Sequence, residues 1–265
     1  MRDDQYKIHM VRYARSDRSR PENFFDGDPH NTPMPIDYFV WVITNEHRTI
    51  VVDTGFDEAM ARRRRREMLK PVGLGLKAVE VDPDAVSDVI VTHMHYDHAG
   101  NHDLLPRARY HVQDCEMAYV TGRCMCHHLL RHPFEEEDVV AMVRKVFAGR
   151  VEFYDGHGTV APGITVHKLG GHSRGLQIVR VGTERGPVVL ASDASHYYEH
   201  IENDRAFVIF ESLSDLLEGY RTIRKLAPSL QHVVPGHDPS VFERYPASGP
   251  GLEGWAIRVD LPPSR

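Results

Sequence analysis

The sequence predicts a layered α/β fold in which strands dominate and helices lie outside them. Two observations carry that prediction. Nine short runs rich in β-branched and aromatic residues read as strands, and helical patterns with one apolar face lie between some of them. A helix with a single apolar stripe must bury it, and a sheet provides the surface. In chain order, the Pro-rich segment PENFFDGDPHNTPMP (21–35) reads as an irregular loop ahead of the strand runs YFVWVIT (38–44) and TIVVDT (49–54). DEAMARRRRREML (57–69) reads as a helix, and DPDAVSDV (82–89) opens with Asp and Pro as a helix start does. The runs DVIVTH (88–93) and ARYHVQ (108–113) follow. EEEDVVAMVRKVF (135–147) is acidic at its front and basic at its back, as the helix dipole favours. The runs GRVEFY (149–154), GITVHKL (163–169), LQIVRVG (176–182) and PVVLASD (187–193) come next. ESLSDLLEGYRTIRKLA (211–227) places Leu213, Leu216, Leu217, Tyr220, Ile223 and Leu226 on one helical face. QHVVPGH (231–237) is the last strand run, and the tail GLEGWAIRVDLPPSR reads as partly disordered.

Composition limits the function classes. The chain has 265 residues, enough for a sizeable core, with 41% hydrophobic and 26% charged residues. Its net charge of −6 gives no sign of non-specific nucleic-acid binding, which shows as a basic balance. No run reaches the length a membrane helix needs, and MRDDQYKIHMVRYARSDR has no apolar export core, so a cytoplasmic soluble protein is expected. Three cysteines, Cys115, Cys124 and Cys126, fit a reducing compartment rather than a disulfide scaffold. The 18 histidines stand out, because imidazole is the commonest metal ligand.

Four of the candidate ligands fall within VIVTHMHYDHAGN: His93, His95, Asp97 and His98. An extended backbone points His93 and His95 the same way. Asp97 and His98 are adjacent, so the chain must turn for both to serve one region, and Ala99-Gly100-Asn101 suits such a turn. One loop can then serve two neighbouring metal centres. Packing alone explains four such residues poorly, because each buried polar group needs its own partner. Other strand runs also end on candidate ligands: Asp53, Asp193 and His237, with His172 in KLGGHSRG (168–175). Residues at strand ends gather at the rim of a sheet, where α/β sites form. Imidazoles and carboxylates without thiolate suit Zn, and also Mn, Fe or Co.

THMHYDHAGN resembles the HxHxDH signature of the metallo-β-lactamase superfamily. VVDTG, GGHSRG, ASDAS and VVPGHD extend the resemblance in the family's order and spacing, from about residue 36 to 240. The resemblance implies an αββα sandwich over residues 1–265 as a single domain, with the metal site at one edge of the two sheets and a variable helical insertion around 114–147. It implies His93, His95 and His172 on one metal, Asp97, His98 and His237 on a second, and Asp193 bridging them. Asp53 would orient a ligand histidine from behind.

The implied activity is hydrolysis by a hydroxide held between two divalent metals, most simply zinc, which also polarise the substrate carbonyl. Within the superfamily the chain is most similar to the quorum-quenching N-acyl homoserine lactone lactonases, through its length, its long N-terminal loop and the VVDTGFD and SDAS contexts. A cyclic amide hydrolase of a degradation pathway and a glyoxalase II-like thioesterase are the alternatives. The implied partner is a small cyclic ester or amide, with no nucleic acid or membrane, on a monomer or homodimer. Asp97, Asp193 and His196 are the candidate catalytic residues. His196 departs from the lactonase pattern, which has a tyrosine three residues after the bridging aspartate; His196, or neighbouring Tyr197 or Tyr198, would assist the leaving oxygen.

Three further features have plainer readings. Phe24 and Phe25 either wall the substrate site or, more simply, anchor their loop to the core. Cys124, Cys126, His127, His128 and His132 do not match a common structural zinc spacing, which favours a pocket-lining or interface role. Arg62 to Arg66 wrap right round a helix and read as a solvated face rather than an anion patch.

Overall fold

The strand runs assemble into two mixed sheets in a computed structural model that describes residues 3–264. The first sheet contains β1 (Lys7–Ser16), β2 (Ile36–Thr44), β3 (Thr49–Val52), β4 (Glu67–Met68), β5 (Asp88–Ile90), β6 (Arg109–Gln113), β7 (Val151–Tyr154) and β13 (Ala256–Arg258). Its order is β13-β1-β2-β3-β5-β6-β7, with β4 paired to β1. The second contains β8 (His157–Ala161), β9 (Ile164–Lys168), β10 (Gln177–Val181), β11 (Val188–Ser192) and β12 (Val233–Pro235), in the order β12-β11-β10-β9-β8. β3, β5, β6 and β7 run parallel, as do β11 and β12.

Alternation along the strands builds the layers. On β2, Phe39, Trp41 and Ile43 cluster with Val179, Val181, Val188 and Leu190 of the second sheet. Val40 and Val42 belong to a separate cluster on the outer face. There α2 (Val72–Ala78), α4 (Asp114–Val120) and α6 (Glu136–Phe147) contribute Val72, Leu76, Met117, Val120 and Met142. α1 (Glu58–Arg64), α3 (Tyr96–Ala99) and α5 (His128–Arg131) lie on the same side of the chain order, before the second sheet begins. α7 (Tyr198–Asn203) and α8 (Leu213–Leu226) cover the other sheet through Ile201, Leu216, Tyr220 and Ile223. α9 (Val241–Arg244) follows β12. The result is the four-layered αββα sandwich.

The structure corrects several expected elements. β1 was not foreseen, although Ile8 and Met10 fill the intersheet core while Val11 and Tyr13 face outward. A register shift between Arg12 and Ala14 interrupts its alternation. The helix expected over 57–69 stops at Arg64, where Arg65 takes a left-handed conformation (φ 54°) and turns the chain back to pair Glu67 and Met68 with β1. The helix expected over 82–89 is only a 3-10 turn at Pro83–Ala85, because from Asp88 the chain joins β3 and β6 in parallel pairing. The tail is ordered over its described residues, which end at Ser264: Ala256–Arg258 pairs with β1, and the Asp260 carboxylate accepts the Ile8 N–H at 2.9 Å.

Candidate metal centre

Five strand ends deliver the predicted residues to one edge of the sandwich. Asp53 follows β3, the His93–His98 loop follows β5, and His172, Asp193 and His237 follow β9, β11 and β12. His95 is extended (ψ 153°), then the single turn of α3 swings Asp97 and His98 round, as the spacing requires. The β11 and β12 ends approach so closely that a Cβ on Gly236 would lie 2.6 Å from the Ser192 carbonyl oxygen and 2.8 Å from Asp193 Oδ1. Only glycine permits that approach.

All seven predicted ligands come together, each of them buried. Donor atoms of His93, His95 and His172 lie within 4.8 Å of one another, as do those of Asp97, His98, Asp193 and His237. Asp193 stands between the groups. Its Oδ1 lies 3.2 Å from His98 Nε2 and 3.1 Å from His237 Nε2, while its Oδ2 lies 3.2 Å from His172 Nε2. Ligands about 2.0–2.2 Å from a tetrahedral metal stand roughly 3.3 Å apart, so these separations fit a shared cation. Nε2 of His93, His98, His172 and His196 and Oδ1 of Asp193 are buried without a hydrogen bond. So many orphaned polar atoms in one place are costly unless a cation satisfies them.

The surrounding hydrogen bonds fix the imidazole tautomers. Nδ1 of His172 donates to the Ile209 carbonyl and Nδ1 of His237 to the Asp37 carbonyl, each at 2.7 Å. His98 Nδ1 is 2.7 Å from Asp53 Oδ2. Each bond leaves the Nε2 lone pair facing the cluster. Burial, reinforced by neighbouring imidazoles, pushes His93 and His95 well below the ordinary histidine range and keeps both neutral, the form that binds metal. Asp53 also accepts the Thr92 N–H (2.7 Å) and hydroxyl (2.9 Å), and its own backbone is left-handed (φ 62°). Backbone strain of this kind persists where surrounding bonds hold it.

Sequence reading missed Glu116. Its buried carboxylate accepts the N–H groups of Met94 (2.8 Å) and Gly175 (2.7 Å) and the Ser173 hydroxyl, tying the loop of His93 to that of His172. The one signal was a glutamate set among Met117, Tyr119 and Val120 on an otherwise apolar helical flank. The Asp37 and Ile209 contributions come from backbone carbonyls, which no side-chain pattern reveals.

The family model described as the metallo-β-lactamase superfamily matches residues 35–237. The chain belongs to the metallo-β-lactamase superfamily. An N-acyl homoserine lactonase from a Bacillus species is 26% identical over 231 residues, covering 77% of this chain and 82% of the relative. The N-acyl homoserine lactonase AiiA of Bacillus thuringiensis subsp. kurstaki is 27% identical over 221 residues, covering 75% and 81%. Among solved structures, a quorum-quenching N-acyl homoserine lactone lactonase superposes with a TM-score of 0.73 at 22% identity, over 89% of this chain and 94% of that one. A probable metal-dependent hydrolase from Staphylococcus aureus superposes with a TM-score of 0.76 at 14% identity, over 100% and 97%.

In this metallo-β-lactamase-type chain the cluster forms the floor of a small cavity of about 60 Å³. Ile36, Tyr38, Tyr96, His132, Pro133 and Ile209 wall it, together with Arg18, Arg64 and Arg66. His196 lies flat on Phe207 (ring centroids 3.8 Å apart, 18° between planes), with Nε2 3.2 Å from Asp193 Oδ2. Tyr197 and Tyr198 do not line the cavity: the Tyr197 hydroxyl donates to the Met34 and Pro35 carbonyls, and Tyr198 packs in the intersheet core. Phe24 is buried beneath Arg20 and Arg205, as an anchor should be, and the more exposed Phe25 packs on Phe210. Of the Cys/His segment, His132 reaches the cavity; Cys124, Cys126, His127 and His128 join none of the metal-competent groups among the described residues. The solvated reading holds for Arg62 and Arg65 but not for the whole run, because Arg64 and Arg66 fold back to the cavity wall. Among the described residues no helix is long and apolar enough to cross a membrane.

Proposed function

We propose that this chain is a dinuclear metal hydrolase that opens a lactone ring. His93, His95 and His172 would hold one divalent metal and Asp97, His98 and His237 the other, with Asp193 between them; zinc suits these donors best, and Mn, Fe or Co are compatible. The observation that carries the reading is the Asp193 carboxylate, which stands between the groups with Oδ1 toward His98 and His237 and Oδ2 within reach of both His172 and His237. Bound there, such metals supply hydroxide at neutral pH and polarise a carbonyl. The protein's own residues do the rest. Asp53, Ile209 and Asp37 hold His98, His172 and His237 in one tautomer and orientation. Asp97 and Asp193 place negative charge beside the reacting atoms. His196, held flat by Phe207, presents Nε2 where it can hydrogen-bond the ring oxygen as the C–O bond breaks.

The curated relatives named N-acyl homoserine lactonases favour a lactone over other hydrolysable groups. The reading treats residues 1–265 as one metallo-β-lactamase-like unit, with 114–147 as its variable helical part. Metal analysis should find about two ions per chain. His95→Ala and Asp193→Ala should each abolish turnover with the fold retained by circular dichroism. Clearly less than one metal per chain, or full activity in both variants, would sink the proposal. A screen of lactones, cyclic amides and S-lactoylglutathione tests the bond: turnover of the thioester alone would overturn the lactone assignment.

A further inference from the structure

Three arginines meet at the cavity above the cluster: Arg18 from the N-terminal loop and Arg64 and Arg66 from the end of α1 and beyond. Their electrostatic situations differ. Arg64 is paired with Glu135, with Nε 2.9 Å from Oε1, a carboxylate it shares with Arg63. Arg18 and Arg66 have no carboxylate within ion-pair distance among the described residues. Arginine pairing is otherwise common in this acidic chain: Arg12 and Arg15 meet Asp37, Arg20 and Arg205 meet Glu199, and Arg258 meets Asp260.

Arg66 is nonetheless held in place. Its Nε donates to the Tyr96 hydroxyl at 3.1 Å and Nη1 to the Ser16 hydroxyl at 3.2 Å. Both partners are neutral, so they orient the guanidinium without cancelling its charge. Tyr96 is itself fixed, stacked on Phe56 with Arg64 over its ring. Arg18 makes one long contact, Nη1 to Asn23 Oδ1 at 3.4 Å. Apart from Asp97 and Asp193 in the cluster, the cavity lining contains no carboxylate to oppose these charges. A half-buried, always-charged guanidinium with no carboxylate within ion-pair distance is complementary to an anion that arrives with the substrate, and its planar fork matches a carboxylate.

We infer that Arg18 and Arg66 receive a carboxylate carried by the substrate, so that the preferred ring is an anionic lactone rather than a neutral acyl homoserine lactone. The inference rests on the hydrolase reading for its reaction but not for its binding site. Two measurements on the metal-loaded protein separate them. The first compares kcat/KM for γ-butyrolactone, 5-oxotetrahydrofuran-2-carboxylate and N-hexanoyl homoserine lactone. The carboxylated ring should be preferred over each neutral ring by about tenfold or more, and Arg18→Gln and Arg66→Gln should each cut that preference by about tenfold. The second is calorimetric titration with glutarate, an unreactive dicarboxylate, whose Kd should rise about tenfold in each variant, with Arg66→Lys between the two. Circular dichroism and metal content establish that the variants are folded and loaded. No preference for the carboxylated ring, or a preference unchanged in both variants, overturns the anion receptor and leaves the lactonase reading standing. Turnover of no ring, with glutarate binding weakened in the variants, overturns the lactonase reading and supports the receptor. Turnover of no ring and unchanged glutarate binding overturns both.

Discussion

His196 shows how one side chain separates two chemistries. Its Nε2 is close enough to Asp193 and His172 to count as a further ligand atom. The seven residues proposed as ligands would complete two metal sets without it, so the proposed role is toward the substrate oxygen. His196→Ala should lower kcat by about 10²–10⁴-fold, the usual contribution of a positioned acid or base, with metal content unchanged. Loss of a metal in this variant would make it a ligand instead. Asp138 offers a test away from the centre. Burial raises its carboxyl to about 7, helped by Glu135 and Asp57 and opposed by Arg63 and Arg64; His102 Nε2 lies 3.6 Å away, and Oδ2 has no hydrogen bond. A carboxyl whose pKa is raised on folding contributes its stability below the unfolded value of 3.8, and that stability is lost as pH rises through about 7. Asp138→Asn should therefore stabilise the protein at pH 8, by up to about 4 kcal/mol, and give no such gain below about pH 4. Denaturant unfolding at the two pH values measures it, and a gain independent of pH would refute the assignment.

Segments were legible where pattern and packing agree. The strands that carry Asp53, His93 and Asp193 are continuous β-branched runs, because both faces of those strands are covered. Helix α8 was legible from its apolar stripe, which does cover the second sheet. Local signal failed where tertiary pairing decided the matter. β1 carries a register shift that breaks its alternation, and Asp-Pro at 82–83 caps only a 3-10 turn before parallel pairing takes over. The arginine run misled for a similar reason: the left-handed Arg65 ends the helix and sends Arg66 inward, and no helical projection anticipates that turn. The ends of β11 and β12 supply a prediction of their own. Gly236→Ala should force Ser192 and Asp193 aside, costing about 1–3 kcal/mol as overpacking does, and reduce metal content along with activity. Activity and metal content equal to wild type would show that these strand ends yield without disturbing the ligands.

The two sheets meet through a shared apolar core, but at one edge they also meet through the His/Asp cluster. The first sheet contributes His93, His95, Asp97 and His98 from the loop after β5, and the second contributes His172, Asp193 and His237. The sandwich and the residues gathered at its edge were readable in the sequence because those residues lie in the segments that follow strands, with Asp97 and His98 on the short turn of α3. The ties between the sheets were not, because the Glu116 carboxylate and the Asp37 backbone carbonyl make them. On the proposed reading, metal binding at this edge contributes to the stability of the entire fold. A bound cation would give the buried, unpartnered imidazole nitrogens a partner. A metal present at about 100 times its Kd stabilises the state that binds it by about 2.7 kcal/mol. At roughly 2–4 °C per kcal/mol for a chain of this size, chelation should lower Tm by about 5–10 °C, and adding zinc back should restore it. His95→Ala, which leaves the second ligand group intact, should respond to chelation by a smaller amount than the wild type. A Tm indifferent to verified metal removal would mean that the core alone closes the sandwich and that the cluster contributes only to chemistry.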